Sequence, residues 1–270
     1  MRLRKNKRGA ELFVPGMVMV AIVVFVAMSW QFYGRVSDAS KFGTEEYHIG
    51  EVQSLLKDVY YEAEKDLLYI DQAAKLAGNG AIFILAEKGG LYNTGCGTVR
   101  NYSLWSNNDK ECYPNTVNNF GSVFNDIIKK YSITKFPSKY SLVIKNSADE
   151  TIVSGIAADT LEYNTHFGAT YVLKPSINTN IRFKMPVFGA LIAKVKAMKT
   201  TCSSILDEDE LKKCVWDFVA GIESDEFMLK IAGSDERTFL FDAVVKNKLQ
   251  GRDVVIKFGV NFPGQIMNQK

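Results

Sequence analysis

Apolar residues along this chain follow three patterns, and each predicts a different kind of element. The first has no period: Leu12 to Gly34 reads LFVPGMVMVAIVVFVAMSWQFYG, with no charge between Glu11 and Arg35. At about 1.5 Å of rise per residue, such a run makes a helix on the order of 34 Å long, enough to cross a bilayer core. The second pattern is helical. Val52, Leu55, Leu56, Val59, Tyr60, Ala63, Leu67, Ile70, Ala74 and Ala77 recur at i, i+3, i+4 and i+7, while Lys57, Asp58, Glu64 and Lys65 take the other faces. Gly78-Asn79-Gly80 is expected to interrupt this helix, and Ala81 to Glu87 to resume it for two turns. From Gly89 to Pro114 the sequence is rich in Gly, Asn and Ser and reads as a loop. A second amphipathic helix follows, with Val117, Phe120, Phe124, Ile127, Ile128 and Tyr131 on one side.

The third pattern begins at Tyr140, where the period changes to two. Tyr140/Leu142/Ile144, Ile152/Ser154/Ile156, Tyr171/Leu173 and Ile177/Thr179/Ile181/Phe183 each alternate as the inward face of a half-buried strand does. Lys145 to Glu150 reads as a hairpin turn and Lys174-Pro175-Ser176 as a break. Pro186 starts another helix, whose apolar side carries Phe188, Leu191, Ile192, Val195, Met198, Cys202 and Ile205. Asp207 and Glu210 have capping-box spacing for the next helix, which buries Leu211, Cys214, Val215 and Phe218. Three alternating runs close the chain: Phe227/Leu229/Ile231, Phe239/Phe241/Ala243/Val245 and Val254/Ile256/Phe258/Val260/Phe262, with Gln250-Gly251-Arg252 turning between the last two.

Strands grouped before and after a helical insert, without regular βαβ alternation, predict an α+β fold. Its expected parts are a transmembrane helix, a long amphipathic helix, and a largely antiparallel sheet with helices and two disulfides. The corresponding boundaries are a basic cytoplasmic segment at 1–11, the membrane helix at 12–34, a polar connection at 35–50 and one extracytoplasmic domain at 51–270.

Charge bears on topology. Arg2, Arg4, Lys5, Lys7 and Arg8 precede the apolar run, and clusters of this kind stay on the cytoplasmic side of a membrane. They are five of the 33 basic residues; with Glu11 they leave 28 basic against 29 acidic residues from Leu12 onward. That balance gives no global basic field, which argues against nucleic acid as a partner. The expected partner is the lipid bilayer, through Leu12 to Gly34. A cleaved secretory signal is an alternative, because Ala27-Met28-Ser29 fits a small-x-small site, but the run exceeds a signal core and Trp30, Phe32 and Tyr33 suit an interfacial belt. A buried soluble core helix is a further alternative, although such helices rarely lack charge on every face.

The junction Lys7-Arg8-Gly9-Ala10-Glu11 resembles the archaeal class III, prepilin-like signal, and the chain as a whole resembles single-pass surface proteins of small-genome archaea. The resemblance implies cleavage between Gly9 and Ala10 with the apolar helix kept on the mature protein. Glu11 stands earlier than the glutamate of bacterial pilins.

Cys96, Cys112, Cys202 and Cys214 all follow the apolar run, none in a C-x-x-C. With only His48 and His166 to supply imidazole, a zinc site is not expected. An even count in an oxidising compartment favours two disulfides. Proximity suggests Cys96 with Cys112 and Cys202 with Cys214, although four cysteines allow three pairings. Asn101-Tyr102-Ser103 is a glycosylation sequon.

Candidate chemistry is sparse. No serine or cysteine elbow stands near His166, and His48 falls close to the membrane. Glu162, Asp149 and Glu150 are the first acids to consider in a wall-degrading enzyme. Asp207 to Glu210 lacks the spaced oxygens of a calcium loop, and Gly78-x-Gly80 and Gly95-x-Gly97 are not phosphate cradles. Lys194, Lys196 and Lys199 make a small basic helix face. No catalytic residue and no cofactor is assigned. The expectation is a membrane-anchored surface protein serving architecture, adhesion or pilin-like self-assembly, or contact with other surface proteins. The alternative is an anchored hydrolase or substrate-binding subunit acting on envelope polymers.

Overall fold

Residues 18–31 are helical (α1), and almost every side chain on this helix is exposed, Phe25 at 73% and Trp30 at 79%. The computed structural model describes residues 18–31, 49–93, 95–108, 110–131, 137, 139–147, 150–165, 168–222 and 224–263. The remainder of the expected span, together with Gly9 and Ala10, lies outside them. No helix among the described residues is long and apolar enough to cross a membrane. The chain divides into two units, one of residues 1–62 and 164–171, the other of 63–163 and 172–270.

The first unit contains α1, the opening turns of helix α2 (Ile49–Glu87) and the tip of a hairpin. In those turns Val52, Leu55 and Val59 are half-buried, whereas Leu56, Tyr60 and Tyr61 are exposed. Lys57 Nζ lies 5.5 Å from the centre of the Tyr61 ring. At the hairpin tip the Thr165 hydroxyl accepts from the Ala169 N–H at 2.9 Å.

The second unit holds the core. Here α2 continues unbroken to Glu87, against the expected interruption at Gly78-Asn79-Gly80. Gly78 serves close approach, not chain reversal, while Gly80 stands at ordinary contact distance from its neighbour. A Cβ on Gly78 would lie 2.6 Å from Ile181 Cδ1, and one on Gly80 would lie 3.5 Å from Ile127 Cδ1. Ala73, Ala74, Ala77, Ala81, Ile82, Leu85 and Ala86 are all buried on this part of the helix. Small side chains let neighbouring elements seat against its backbone, and that packing outweighs the roughly 1 kcal/mol that each helical glycine costs. The helix ends at Gly89 and Gly90, both at positive φ. Only glycine fits at 89, where a Cβ would stand 2.7 Å from the Lys257 carbonyl oxygen.

The stretch expected as loop holds strands β1 (Thr98–Val99), β2 (Tyr102–Asn107) and β3 (Lys110–Glu111). In β2, Ser103, Leu104, Trp105 and Ser106 are consecutive buried residues, so the strand is covered on both faces and shows no alternation to read. Later strands are β4 (Tyr140–Asn146), β5 (Thr151–Ala157), β6 (Leu161–Asn164), β7 (Thr170–Leu173), β8 (Ser176–Ile181), β9 (Phe227–Asp235), β10 (Thr238–Leu249) and β11 (Arg252–Asn261). The helices between them are α3 (Thr116–Lys130), α4 (Pro186–Cys202) and α5 (Glu208–Ala220). The main sheet runs β1-β2-β11-β10-β9 with β3 on β2; β2 and β11 are parallel, and every other pairing is antiparallel. A second sheet runs β4-β5-β8, and β6 pairs with β7. The molecule is therefore α+β with mostly antiparallel sheets.

Aromatic rings fill the main core. Trp105 stacks on Phe258 with centroids 4.0 Å apart, Phe258 on Phe241 at 5.2 Å, and Tyr113 meets Trp105 edge-on at 6.2 Å. The indole N–H of Trp105 donates to the Gly89 carbonyl at 2.7 Å, so this fully buried ring leaves no polar atom unpaired.

In the smaller sheet the inward face carries Tyr140, Leu142 and Ile144 of β4 and Ile177, Thr179 and Ile181 of β8, as expected. On β5 the expected face is reversed: Thr151, Val153, Gly155 and Ala157 are buried, while Ile156 is 56% exposed. Register explains the reversal, since Leu142 and Ile177 both pair with Gly155, and a Cβ there would lie 2.7 Å from Leu142 Cδ2. The bulky neighbours fill the space glycine leaves, and β5 cannot turn over without losing that fit.

Candidate functional site

Amphipathicity places α3 beside β4. Phe120, Val123, Phe124, Ile127 and Ile128 go into the core, and the opposite side carries Gly121, Asn125 and Lys129 at four-residue intervals. Asn115 starts the helix by accepting the Asn118 N–H on its side-chain oxygen. Along α3 and β4 runs a groove of about 540 Å³, lined by Val117, Gly121, Asn125, Lys129, Leu142 and Ile144 among others. That volume lies within the range of ligand clefts.

Polar contacts fix both walls. The Asn125 side chain accepts the Tyr140 N–H at 2.9 Å and donates to the Tyr140 carbonyl at 3.3 Å. The Tyr92 phenol donates to Asp126 at 2.6 Å, and this hydrogen bond, ahead of the Asp126 charge, pushes the phenol's pKa up. The Tyr140 hydroxyl is buried with no hydrogen-bond partner among the described residues. Burial, then the charge of Asp71, pushes its pKa up. The groove offers backbone groups, amides, two lysines and an apolar wall. Such an arrangement can offer hydrogen bonds to a chain and cover an apolar side chain. The pattern reading of α3 found Phe120, Phe124, Ile127 and Ile128, but it placed the exposed Val117 and Tyr131 with them and missed this side. The available signal was Gly121 inside a helical run, which usually has a packing or binding reason.

Glu162 is exposed on β6, and His48, His166 and Asp149 lie outside the described residues. Glu150 accepts from Asn180 at 3.1 Å and lines a pocket with Arg182, Lys246, Asn247 and Lys248, three of them cations. Among the described residues no group of His, Cys, Asp and Glu gathers as a metal site. Asp207 caps α5, accepting the Glu210 N–H at 2.8 Å. The lysine face of α4 is engaged locally: Lys196 Nζ sits 4.5 Å from the Tyr113 ring centre, and Lys199 lies 3.7 Å from Glu111. Asn101 is exposed in a two-residue hairpin turn, with Arg100 and Asn101 both at positive φ, and Ser103 is buried in the strand that follows.

Cysteines pair as proximity suggested. Cys96 is bonded to Cys112, joining the turn before β1 to the segment after β3, and Cys202 is bonded to Cys214, joining α4 to α5. No protein-family model, curated protein or solved structure matches this chain.

Proposed function

We propose that this is a membrane-anchored surface protein whose disulfide-stapled α+β portion serves structural contact or adhesion, and not catalysis. Leu12 to Gly34 holds the bilayer, with the basic cluster before it on the cytoplasmic side and the remainder outside. One observation carries the reading. Across residues 18–31 every large apolar side chain is exposed, from Val24 at 47% to Trp30 at 79%. Each such side chain forgoes roughly 1.5–3 kcal/mol of burial in water, and a contiguous surface of this kind marks a membrane or protein contact. The two disulfides fit an oxidising compartment. Self-assembly in the manner of pilins is the finer form of this proposal.

Vesicle flotation tests it. The full chain, reconstituted from detergent, is expected to float with phospholipid vesicles, and a Val23→Lys, Val24→Lys chain to stay at the bottom. Each lysine near the middle of a membrane helix costs about 2.5–3.5 kcal/mol. A parent chain that stays dispersed and monomeric without detergent or vesicles overturns the reading.

A further inference from the structure

Strand β4 is the outer strand of its sheet, and the hydrogen bonds at its ends show which way its backbone groups point. The Lys139 carbonyl accepts the Ala158 N–H at 2.8 Å, and the Ser147 N–H donates to the Glu150 carbonyl at 2.8 Å. Odd-numbered residues of this stretch therefore turn their backbone toward β5. Tyr140 turns both of its backbone groups to Asn125 instead. Alternation then aims the N–H and C=O of Leu142 and Ile144 at the free edge, the α3 side. Neither residue has a backbone hydrogen-bond partner on that side among the described residues.

The Asn125 amide already does at Tyr140 what a peptide unit of a neighbouring strand would do, giving one donor and taking one. Beyond it α3 presents Gly121, where a Cβ would meet Leu142 Cδ1 at an ordinary contact distance of 3.9 Å. The groove along this edge has apolar walls at Val117, Leu142 and Ile144. Its charge gathers at one end. Lys129 is one helical turn beyond Asn125, and Lys139 immediately precedes Tyr140, so the Asn125–Tyr140 contact puts both ammonium-bearing residues at that end. The acid of the groove, Asp126, is bonded by Tyr92.

We propose that this groove binds an extended peptide segment of a partner protein. The segment adds to β4 as a further strand through Leu142 and Ile144, lays an apolar side chain on Val117, and brings a carboxylate to Lys129 and Lys139. Main-chain pairing supplies affinity and the apolar and cationic positions supply selectivity, the division of labour in strand addition. The carboxylate comes from an acidic side chain or from a chain terminus. The proposal deepens the contact role given above but depends on β4 and α3 alone, so its failure and the failure of membrane flotation are separate results.

The test uses the full chain in detergent micelles and three fluorescein-labelled hexapeptides of alternating threonine and valine. One ends in a free carboxylate, one is amidated with an aspartate near its end, and one is amidated without an acid. Anisotropy is expected to show saturable binding of at least one acidic peptide, weaker by about tenfold for the uncharged one, the effect of one charge-assisted contact. Hydrogen exchange across residues 140–146 is expected to slow when that peptide binds. Gly121→Leu fills the groove with a better helix former, and Ile144→Pro removes one edge N–H where proline is tolerated. Each is expected to weaken binding by about tenfold or more, Gly121→Leu with the unfolding temperature kept. Three results would overturn the proposal: no saturable binding of any peptide, undiminished binding to both variants, or protection of 140–146 that rises with protein concentration in the absence of peptide. The last would assign the edge to a second copy of the chain.

Discussion

Two tyrosine hydroxyls are buried without hydrogen-bond partners among the described residues. Thr151 shows the usual solution: fully buried, it donates to the Phe183 carbonyl at 2.7 Å and accepts the Met185 N–H at 3.3 Å. Tyr113 and Tyr140 have no such bond among the described residues. For Tyr113, burial first and the charge of Glu111 second push the phenol from 10.0 up to about 12. A raised acid pKa means the folded state holds its proton where the unfolded chain has lost it. Stability from this group is therefore intact below pH 10 and falls as pH climbs from 10 toward about 12. Tyr113→Phe removes a hydroxyl that makes no hydrogen bond among the described residues. Urea denaturation is expected to find it as stable as the parent at neutral pH, or better by up to about 1 kcal/mol. A shallower loss of stability between pH 10 and about 12 is expected too, with Tyr140 supplying part of what remains. A clear destabilisation at neutral pH would show that the hydroxyl has a partner after all.

At the scale of elements, the helical hairpin of α4 and α5 depends on its staple. Leu211 and Val215 are the buried residues of α5, a thin apolar stripe for a thirteen-residue helix. The Cys202–Cys214 bond closes a separation of 12 residues, which the chain-entropy account values at about 3 kcal/mol. A Cys202→Ser, Cys214→Ser chain is expected to lose stability of that order, read as a lower urea midpoint. An unchanged midpoint would mean that packing alone holds α5.

This hairpin was legible from spacing: proline at the start of α4, an aspartate cap on α5, cysteines on facing stripes. The last two strands were legible for a similar reason, since burial alternates from Phe241 through Ala243 to Val245 and from Val254 through Ile256 to Phe258, and positive φ at Gln250 and Gly251 makes the turn between them. Legibility failed where packing overrides local pattern. Gly78 and Gly80 read as a break because nothing local announces Ile181, which packs where a Cβ on Gly78 would stand. β2 read as loop because a strand covered on both faces has no period. β5 read inside out because Thr151, Gly155 and Ala157 are less apolar than the isoleucines across from them, and only cross-strand register decides which set is enclosed. The groove was invisible for a different reason: it is made by the free edge of β4 and the polar side of α3, and edge position is a property of the whole sheet.

For the whole molecule, the apolar run and the cysteines call for different surroundings, lipid for the one and an oxidising solution for the other. A single-pass anchor with an exported remainder satisfies both. Exposed apolar residues at 18–31 and near balance of charge from Leu12 onward are what the proposed division would produce. The most direct measurement is alkaline-carbonate fractionation of cells making the native protein, followed by a thiol count on the denatured, unreduced chain. The account predicts full retention in the membrane pellet and no titratable thiol among its four cysteines. Recovery of the full-length chain in the soluble fraction with four free thiols would contradict it.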